Sequence, residues 1–406
     1  MSENAIDKTV KLRKSTRVES IDLLRGIVMI IMALDHARDY FHHSTGVAGT
    51  FSPTDLDQTT PEIFSTRIIT HICAPVFIFL AGTSAYLYGL KRTKAKLFKF
   101  LFTRGLWLVL VEIIVMNFVW WFDPGYELIN LQVIWTIGIC MMTLSVLIFL
   151  PKKLLLIVGL IIVTGHNLLE GIQMEGKSFI SIIWYIIYQG GFVTISDNHF
   201  VQFLYPVLPW IGVIVLGYIF GSLYSKTVRE EIRRKWLLWL GLGCIFLFIT
   251  LRFFNIYGSV EEWSTQENSL FTFLSFLNLE KYPPSLNFLL FNLGIGFFLL
   301  NIIDNARNRI TSFIIVFGRV PFFYYVLHVL LLHILAIIIL IITGENWRTM
   351  VLNRETFMSG LLQDYGYSLF VVYLMSILVV ALLYYPCKLY MHYKMKNRTK
   401  WWLSYL

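Results

Sequence analysis

The chain has 406 residues, 57% hydrophobic and 16% aromatic, with 15% charged and a mean hydropathy of +0.66. Soluble proteins carry about 25% charge, so this composition excludes a water-soluble enzyme and predicts an all-α, polytopic transmembrane helical bundle. The net charge of +9 is held in short Lys/Arg clusters between apolar runs, which is a topology signal and not a nucleic-acid footprint.

Apolar runs of roughly 17–25 residues match the length that crosses a ~30 Å hydrocarbon core as helix. They predict about ten spans, over 21–43, 64–90, 100–122, 131–150, 154–168, 205–224, 236–253, 285–303, 320–342 and 367–386. Segments 1–20, 91–104, 152–153, 226–235, 304–319 and 388–406 hold 26 of the 34 Lys and Arg, so the positive-inside rule puts both termini in the cytoplasm. The chain divides into a basic cytoplasmic tail over 1–20, a transmembrane domain over 21–387 and a second basic tail over 388–406. The first 20 residues lack an apolar region with a small-residue cleavage site, so no removable signal peptide is expected.

The first span, IDLLRGIVMIIMALDHARDYFHH, holds three aspartates, two arginines and three histidines. A charge at the centre of a bilayer costs about 2.5–3.5 kcal/mol even on insertion scales. Asp22, Arg25, Met29, Met32, His36, Asp39 and His43 recur at steps of three and four, so they share one face, which must look into the bundle. At 1.5 Å per residue, Arg25 lies about 6 Å above the inner start and His36 about 16 Å further out. This layout suits an activated acyl thioester: arginine for anionic phosphates near the inner surface, a passage for a long pantetheine arm, and a histidine base farther out. The same residues allow blander readings. Asp22 and Arg25 can form a plain i,i+3 pair with Ser20 capping the helix, and His36 can be a buried hydrogen-bonding group beside Asp35 and Asp39. An interfacial helix end also explains Asp39, Tyr40, His42 and His43.

In the second span Arg67 and His71 lie one turn apart and Pro75 frees a carbonyl of the preceding turn, while Ala81, Gly82 and Ser84 favour close helix packing. Cys73, Cys140, Cys244 and Cys387 all fall in or at the ends of apolar runs and read as small buried hydrophobes; no metal-ligand spacing is present and no metal is expected. Glu112, Asn117 and Asn292 are intramembrane polar groups, either helix-to-helix glue or site residues. Segment 179–192 is too short for a span and reads as interfacial or re-entrant. In LNLEKYPPSLNF, over 277–288, the paired prolines set a stiff entry and Tyr282 offers an aromatic plane for sugar stacking or a belt position. The ninth span puts Tyr324 and His328 on one face and turns His333 away; Arg319 precedes it, an interface anchor or a phosphate ligand.

The series Arg17, Asp22, Arg25, Gly26, His36 resembles the start of the membrane-bound acyltransferase superfamily, in which a functional histidine follows the arginine of an arginine–glycine pair by eleven residues. Five stretches in order, RVESIDLLRGIVMIIMALDHARDYF, YPVLPWIGVIVLGYIFG, FLNLEKYPPSLNFLL, FGRVPFFYYVLHVLLLH and WWLSYL, resemble the bacterial branch of the heparan-alpha-glucosaminide N-acetyltransferase catalytic-domain family. The resemblance implies a multi-pass enzyme of the bacterial plasma (inner) membrane that moves an acetyl or short acyl group from cytoplasmic acyl-CoA to an extracytoplasmic glycan or glycolipid. Acetyl-CoA enters as co-substrate. Animal lysosomal members place their key histidine in the connection after the first span, where His42 and His43 are nearest, and their luminal domain has no counterpart here, so heparan sulfate is not the expected acceptor.

The expected roles are then Arg25 with Arg319, beside Asp22, for the donor; His36 as base with its tautomer held by Asp39 or Asp35; and His71 and His328 as further site residues. Whether transfer is direct or through an acyl-histidine is open, as is a homodimer. The rival is a proton-coupled secondary transporter using the Asp/His/Arg stripe; the absence of an internal repeat weighs against it.

Overall fold

The computed structural model describes residues 18–47, 49–362, 364–397 and 399–404; Arg17 and the last two residues of WWLSYL lie outside them. In chain order the helices are α1 (Glu19–Phe41), α2 (Pro61–His71), α3 (Cys73–Gly89), α4 (Lys94–Val111), α5 (Asn117–Trp121), α6 (Val133–Leu147), α7 (Lys152–Gly165) and α8 (Phe179–Trp184). They continue with α9 (Leu208–Phe220), α10 (Glu230–Phe253), α11 (Ser269–Leu277), α12 (Leu286–Ile303), α13 (Arg309–Arg319), α14 (Pro321–Thr343), α15 (Arg354–Met358) and α16 (Leu369–Lys396).

Among the described residues six helical stretches are long and apolar enough to cross a membrane: 61–89, 152–169, 230–253, 286–303, 321–343 and 369–396. The expectation of about ten also counted α1 and α4, which carry more charge, and α6 and α9, which are shorter. α2 and α3 form one stretch interrupted at Ile72, because Pro75 has no N–H for the carbonyl of His71. The all-α expectation needs a correction. β1 (Leu128–Leu131), β2 (Gly191–Ser196) and β3 (His199–Phe203) make a small sheet in the order β1-β3-β2, with β1 parallel and β2 antiparallel to β3. Its hairpin closes through Asp197 and Asn198, residues suited to a tight turn.

The charged first helix is not a lipid-facing element. α1 packs against α2, α3, α12, α13, α14 and α16, and sixteen of its 23 residues are buried. By contrast only 22% of the most apolar window is buried in α10 and in α16. Charge sits at the centre of this bundle and hydrocarbon-like surface at its edge, the arrangement a bilayer requires.

Basic connections meet at one end. Ser20 Oγ donates to Asp304 Oδ1 at 2.9 Å, Arg233 pairs with Asp304 at 2.6 Å, and Arg307 with Glu19 at 3.2 Å. Ser20 therefore does not cap α1, whose N-cap is Val18 without a side-chain bond. Glu112 and Asn117 join separate elements of the fold, whereas Asn292 does not. α4 runs into α5 through a π-helical turn, Glu112–Met116, and Glu112 Oε1 accepts from the Gln132 N–H at 3.2 Å, serving the uncapped start of α6. Asn117 Nδ2 donates to the Glu112 carbonyl at 2.8 Å and its Oδ1 accepts from Asn130 N–H at 2.6 Å; Asn292 donates to Phe288 O within its own helix.

α13, which sequence reasoning left inside a cytoplasmic connection, packs along α1 at backbone contact. A Cβ on Gly318 would stand 1.8 Å from the Asp22 carbonyl oxygen, and one on Gly26 would stand 2.2 Å from that of Ile314. Gly318→Ala is therefore expected to push the helices apart and cost about 1–3 kcal/mol. Thermal unfolding in detergent checks it: an unchanged midpoint would contradict the contact.

Candidate functional site

Near the N-terminal end of α1, Arg25 Nη1 donates to Asp22 Oδ1 at 3.1 Å and to the Gly318 carbonyl at 3.2 Å, while Nη2 donates to Ser84 Oγ at 2.9 Å. The expected i,i+3 pair is present, and Arg25 also ties α1 to α3 and α13. Arg319 faces the same carboxylate, its Nε 3.7 Å from Asp22 Oδ2, and reaches Glu19 at 3.8 Å. Among the described residues its buried Nε has no hydrogen-bond acceptor. Nearby, Leu90, Lys91, Arg92, Thr93 and Lys96 line an open groove of about 660 Å³.

Between the two charged ends the stripe is filled. Met29 and Met32 are 1% and 7% exposed and belong to the main core, so the open passage expected along this face is closed here.

In the C-terminal half of α1 the structure brings together His36 and His328 of α14. His328 Nδ1 lies 2.9 Å from the Tyr324 carbonyl oxygen, and its Nε2 lies 2.7 Å from His36 Nδ1. A carbonyl only accepts, so His328 Nδ1 carries the hydrogen and Nε2 of the neutral ring is an acceptor. His36 Nδ1 must then donate to it, which leaves the lone pair of His36 on Nε2. The rings stack at 4.8 Å between centroids, and Trp120 and Tyr325 stand edge-on to His36 at 4.8 and 5.9 Å. Trp120 Nε1 and the Tyr325 hydroxyl are both buried beside His36 and close enough to interact with each other.

The expectation that Asp39 or Asp35 holds the tautomer of His36 is corrected by this chain. Asp35 is taken up elsewhere: both its oxygens accept from Arg67 Nη1, at 3.0 and 3.1 Å, Oδ1 accepts from Thr70 Oγ1 at 2.9 Å, and Arg38 closes on the same oxygen. Arg38, fully buried, also donates to Thr66 Oγ1 at 3.0 Å and stands 3.6 Å from Asp39. The cluster bolts α1 to α2.

The remaining histidines stand apart from this pair. His42 Nδ1 accepts from the Ser44 and Thr45 N–H groups, both at 3.3 Å, and organises the loop after α1; His43 is exposed beside Ser44. His71 lies edge-on to Phe288. His333 sits between the carbonyls of Val119 and Met350, at 3.0 and 2.7 Å, and fastens α14 to α5.

Sequence reasoning missed Arg38 and Thr70 as partners of Asp35 and missed Trp120 and Tyr325 beside His36. The Asp35–Arg38 spacing of three was a legible signal; Trp120 gives none, because α5 reaches α1 only through the tertiary fold.

The chain matches the family model described as heparan-alpha-glucosaminide N-acetyltransferase, catalytic, over residues 17–251. That match takes in Arg25, Asp35, His36, Arg67 and Trp120 and stops short of Lys281, Arg319 and His328. No curated protein matches the chain significantly. The match covers more than half of the 406 residues and coincides with the helices that carry the charged stripe; the chain is a membrane protein with transmembrane helices and belongs to the heparan-alpha-glucosaminide N-acetyltransferase catalytic-domain family, a family of acyl-transferring enzymes.

Proposed function

We propose that this protein transfers an acetyl or short acyl group from cytoplasmic acyl-CoA to a hydroxyl or amine of a sugar in an extracytoplasmic glycan or glycolipid, with His36 as general base. In this reading about ten helices cross a bacterial inner membrane and both termini are cytoplasmic. One observation carries it: the chain from the Tyr324 carbonyl through His328 to His36 leaves an unprotonated Nε2 at the outer end of the stripe.

The chemistry then divides as follows. His36 Nε2 takes the proton of the acceptor's O–H or N–H as that oxygen or nitrogen bonds to the thioester carbonyl carbon. The C–S bond breaks and the departing thiolate receives the proton from His36. Trp120 Nε1 and the Tyr325 hydroxyl, buried donors beside His36, are suited to hold the oxyanion that forms on the carbonyl oxygen. Arg319 and Arg25, with the basic groove of Lys91, Arg92 and Lys96, supply cations for the anionic end of the donor, and Asp22 orients Arg25. The acyl arm must displace Met29 and Met32, whose unbranched side chains have rotamer freedom for it. The family match favours transfer over proton-coupled transport.

The test is direct. Acetyl-CoA at 100 times its dissociation constant is expected to stabilise the purified protein by ~2.7 kcal/mol, and membranes supplied with labelled acetyl-CoA should pass label to an envelope component. Absence of a thermal shift with every short acyl-CoA would overturn the reading.

A further inference from the structure

Lys281 lies between α11 and α12, just before Tyr282, and is 8% exposed. Its Nζ stands 5.2 Å from the centre of the Tyr282 ring and 5.9 Å from that of Tyr205. The two tyrosine hydroxyls are 3.4 Å apart, and Arg67 Nη2 is 3.4 Å from that of Tyr282. Two cations thus flank one aromatic pair, whose outer member, Tyr282, is 37% exposed at the mouth.

The charges around this pair do not balance. Lys281, Arg67 and Arg38 lie within electrostatic reach of two carboxylates, Asp35 and Asp39. Asp35 is held by Arg67, Arg38 and Thr70, and Asp39 faces Arg38. Glu280 turns the other way, its Oε1 accepting from the Glu261 N–H at 2.7 Å. Among the described residues Lys281 forms no ion pair or side-chain hydrogen bond, and its positive charge is in surplus. With three cations facing two carboxylates the buried cluster keeps one excess positive charge, which is unfavourable, and a ligand that brings a negative charge relieves it. Aromatic planes beside the cation suit a sugar ring, and Lys281 interacts electrostatically with His36 as well.

We propose that Lys281, with Arg67 and the Tyr205–Tyr282 pair, binds an acidic group of the acceptor, so that the acceptor is an anionic glycan or glycolipid bearing a carboxylate or a phosphate. The inference rests on the transfer reading, in which an acceptor sugar occupies the outer mouth. It does not depend on the identity of the base.

Thermal unfolding of the full-length protein in detergent, at constant ionic strength and without acyl-CoA, tests it with glucuronate, glucose 1-phosphate and glucose as probes. One of the anionic sugars is expected to raise the midpoint at a concentration at least tenfold below that needed for glucose. A response to glucuronate alone assigns a carboxylate, and a response to glucose 1-phosphate alone assigns a phosphate. Lys281→Met should shift that dose response at least tenfold while keeping the stabilisation by acetyl-CoA, and Lys281→Arg should retain both. Equal responses to glucose and to both anionic sugars overturn the proposal, as does a Lys281→Met protein that binds the anionic sugar normally. The wild-type comparison stands even where Lys281→Met fails to fold. A missing acetyl-CoA response in the wild type counts against acyl transfer instead, so the two failures are distinguishable.

Discussion

Replacement of His36 by alanine is expected to lower acyl transfer by about 10²–10⁴-fold, the contribution of a positioned general base, with stabilisation by acetyl-CoA retained. The separation of the two effects is what makes the result informative. His36 lies far along α1 from the cations assigned to the donor's anionic end, so the donor should still bind. His328 gives the internal control. Its Nε2 is the acceptor that fixes the proton on His36 Nδ1. In His328→Phe that acceptor is gone and the His36 ring is free to take the other tautomer, with Nε2 protonated and useless as a base. In His328→Gln a side-chain carbonyl can accept in its place, so activity should fall less than in the phenylalanine variant. Release of free thiol from acetyl-CoA in the presence of the acceptor measures all three. Full activity in His36→Ala removes this residue from the mechanism and leaves family membership intact.

Asp35→Asn is expected to destabilise the protein by about 3–5 kcal/mol, the usual result of removing one member of a buried charge pair. The substitution conserves shape, so it isolates charge. Asp35 is the common partner of Arg38, which is fully buried, and Arg67, whose side chain is 16% exposed. Asp39 stands 3.6 Å from Arg38 but is not hydrogen-bonded to it, and so gives little compensation. Two guanidinium groups would be left in the interior of a membrane protein with one loosely placed carboxylate between them. Thermal unfolding in micelles should show a large fall in midpoint or a protein that fails to accumulate. A midpoint equal to the wild type would mean that the Asp35 cluster is solvated in a way its burial does not suggest.

The membrane character, six of the long apolar helices and the polar face of α1 were legible because each is written in local periodicity and in the cost of burying charge. Arg25 with Asp22 was legible for the same reason, being a contact within one turn. Contacts that join distant segments were not. The partner of His36 lies 292 residues away on α14, and no spacing rule could prefer it to Asp35 next door or Asp39 one turn on. Both aspartates had stronger local claims until Arg67 and Thr70 arrived from α2 to occupy Asp35. The small sheet escaped for another reason. β1 is four residues long and its pairing partner begins at residue 199, so the stretch before α6 reads as the start of a span. α13 has the strong two-sidedness of an amphipathic helix, yet it sits among basic residues that the topology rule had already assigned to a connection.

The close seating of α1 on α13 has a bearing on how the protein is made. Within Glu19–Phe41 six residues are acidic or basic, so this segment partitions poorly into lipid by itself. Thr66, Arg67 and Thr70 follow soon after and can partner the charges of its C-terminal half, but the backbone cradle around Gly318 and the imidazole of His328, 292 residues beyond His36, are synthesised much later. α1 therefore stays partly unenclosed until α13, translated long after it, has arrived to cover the face that carries Asp22 and Gly26.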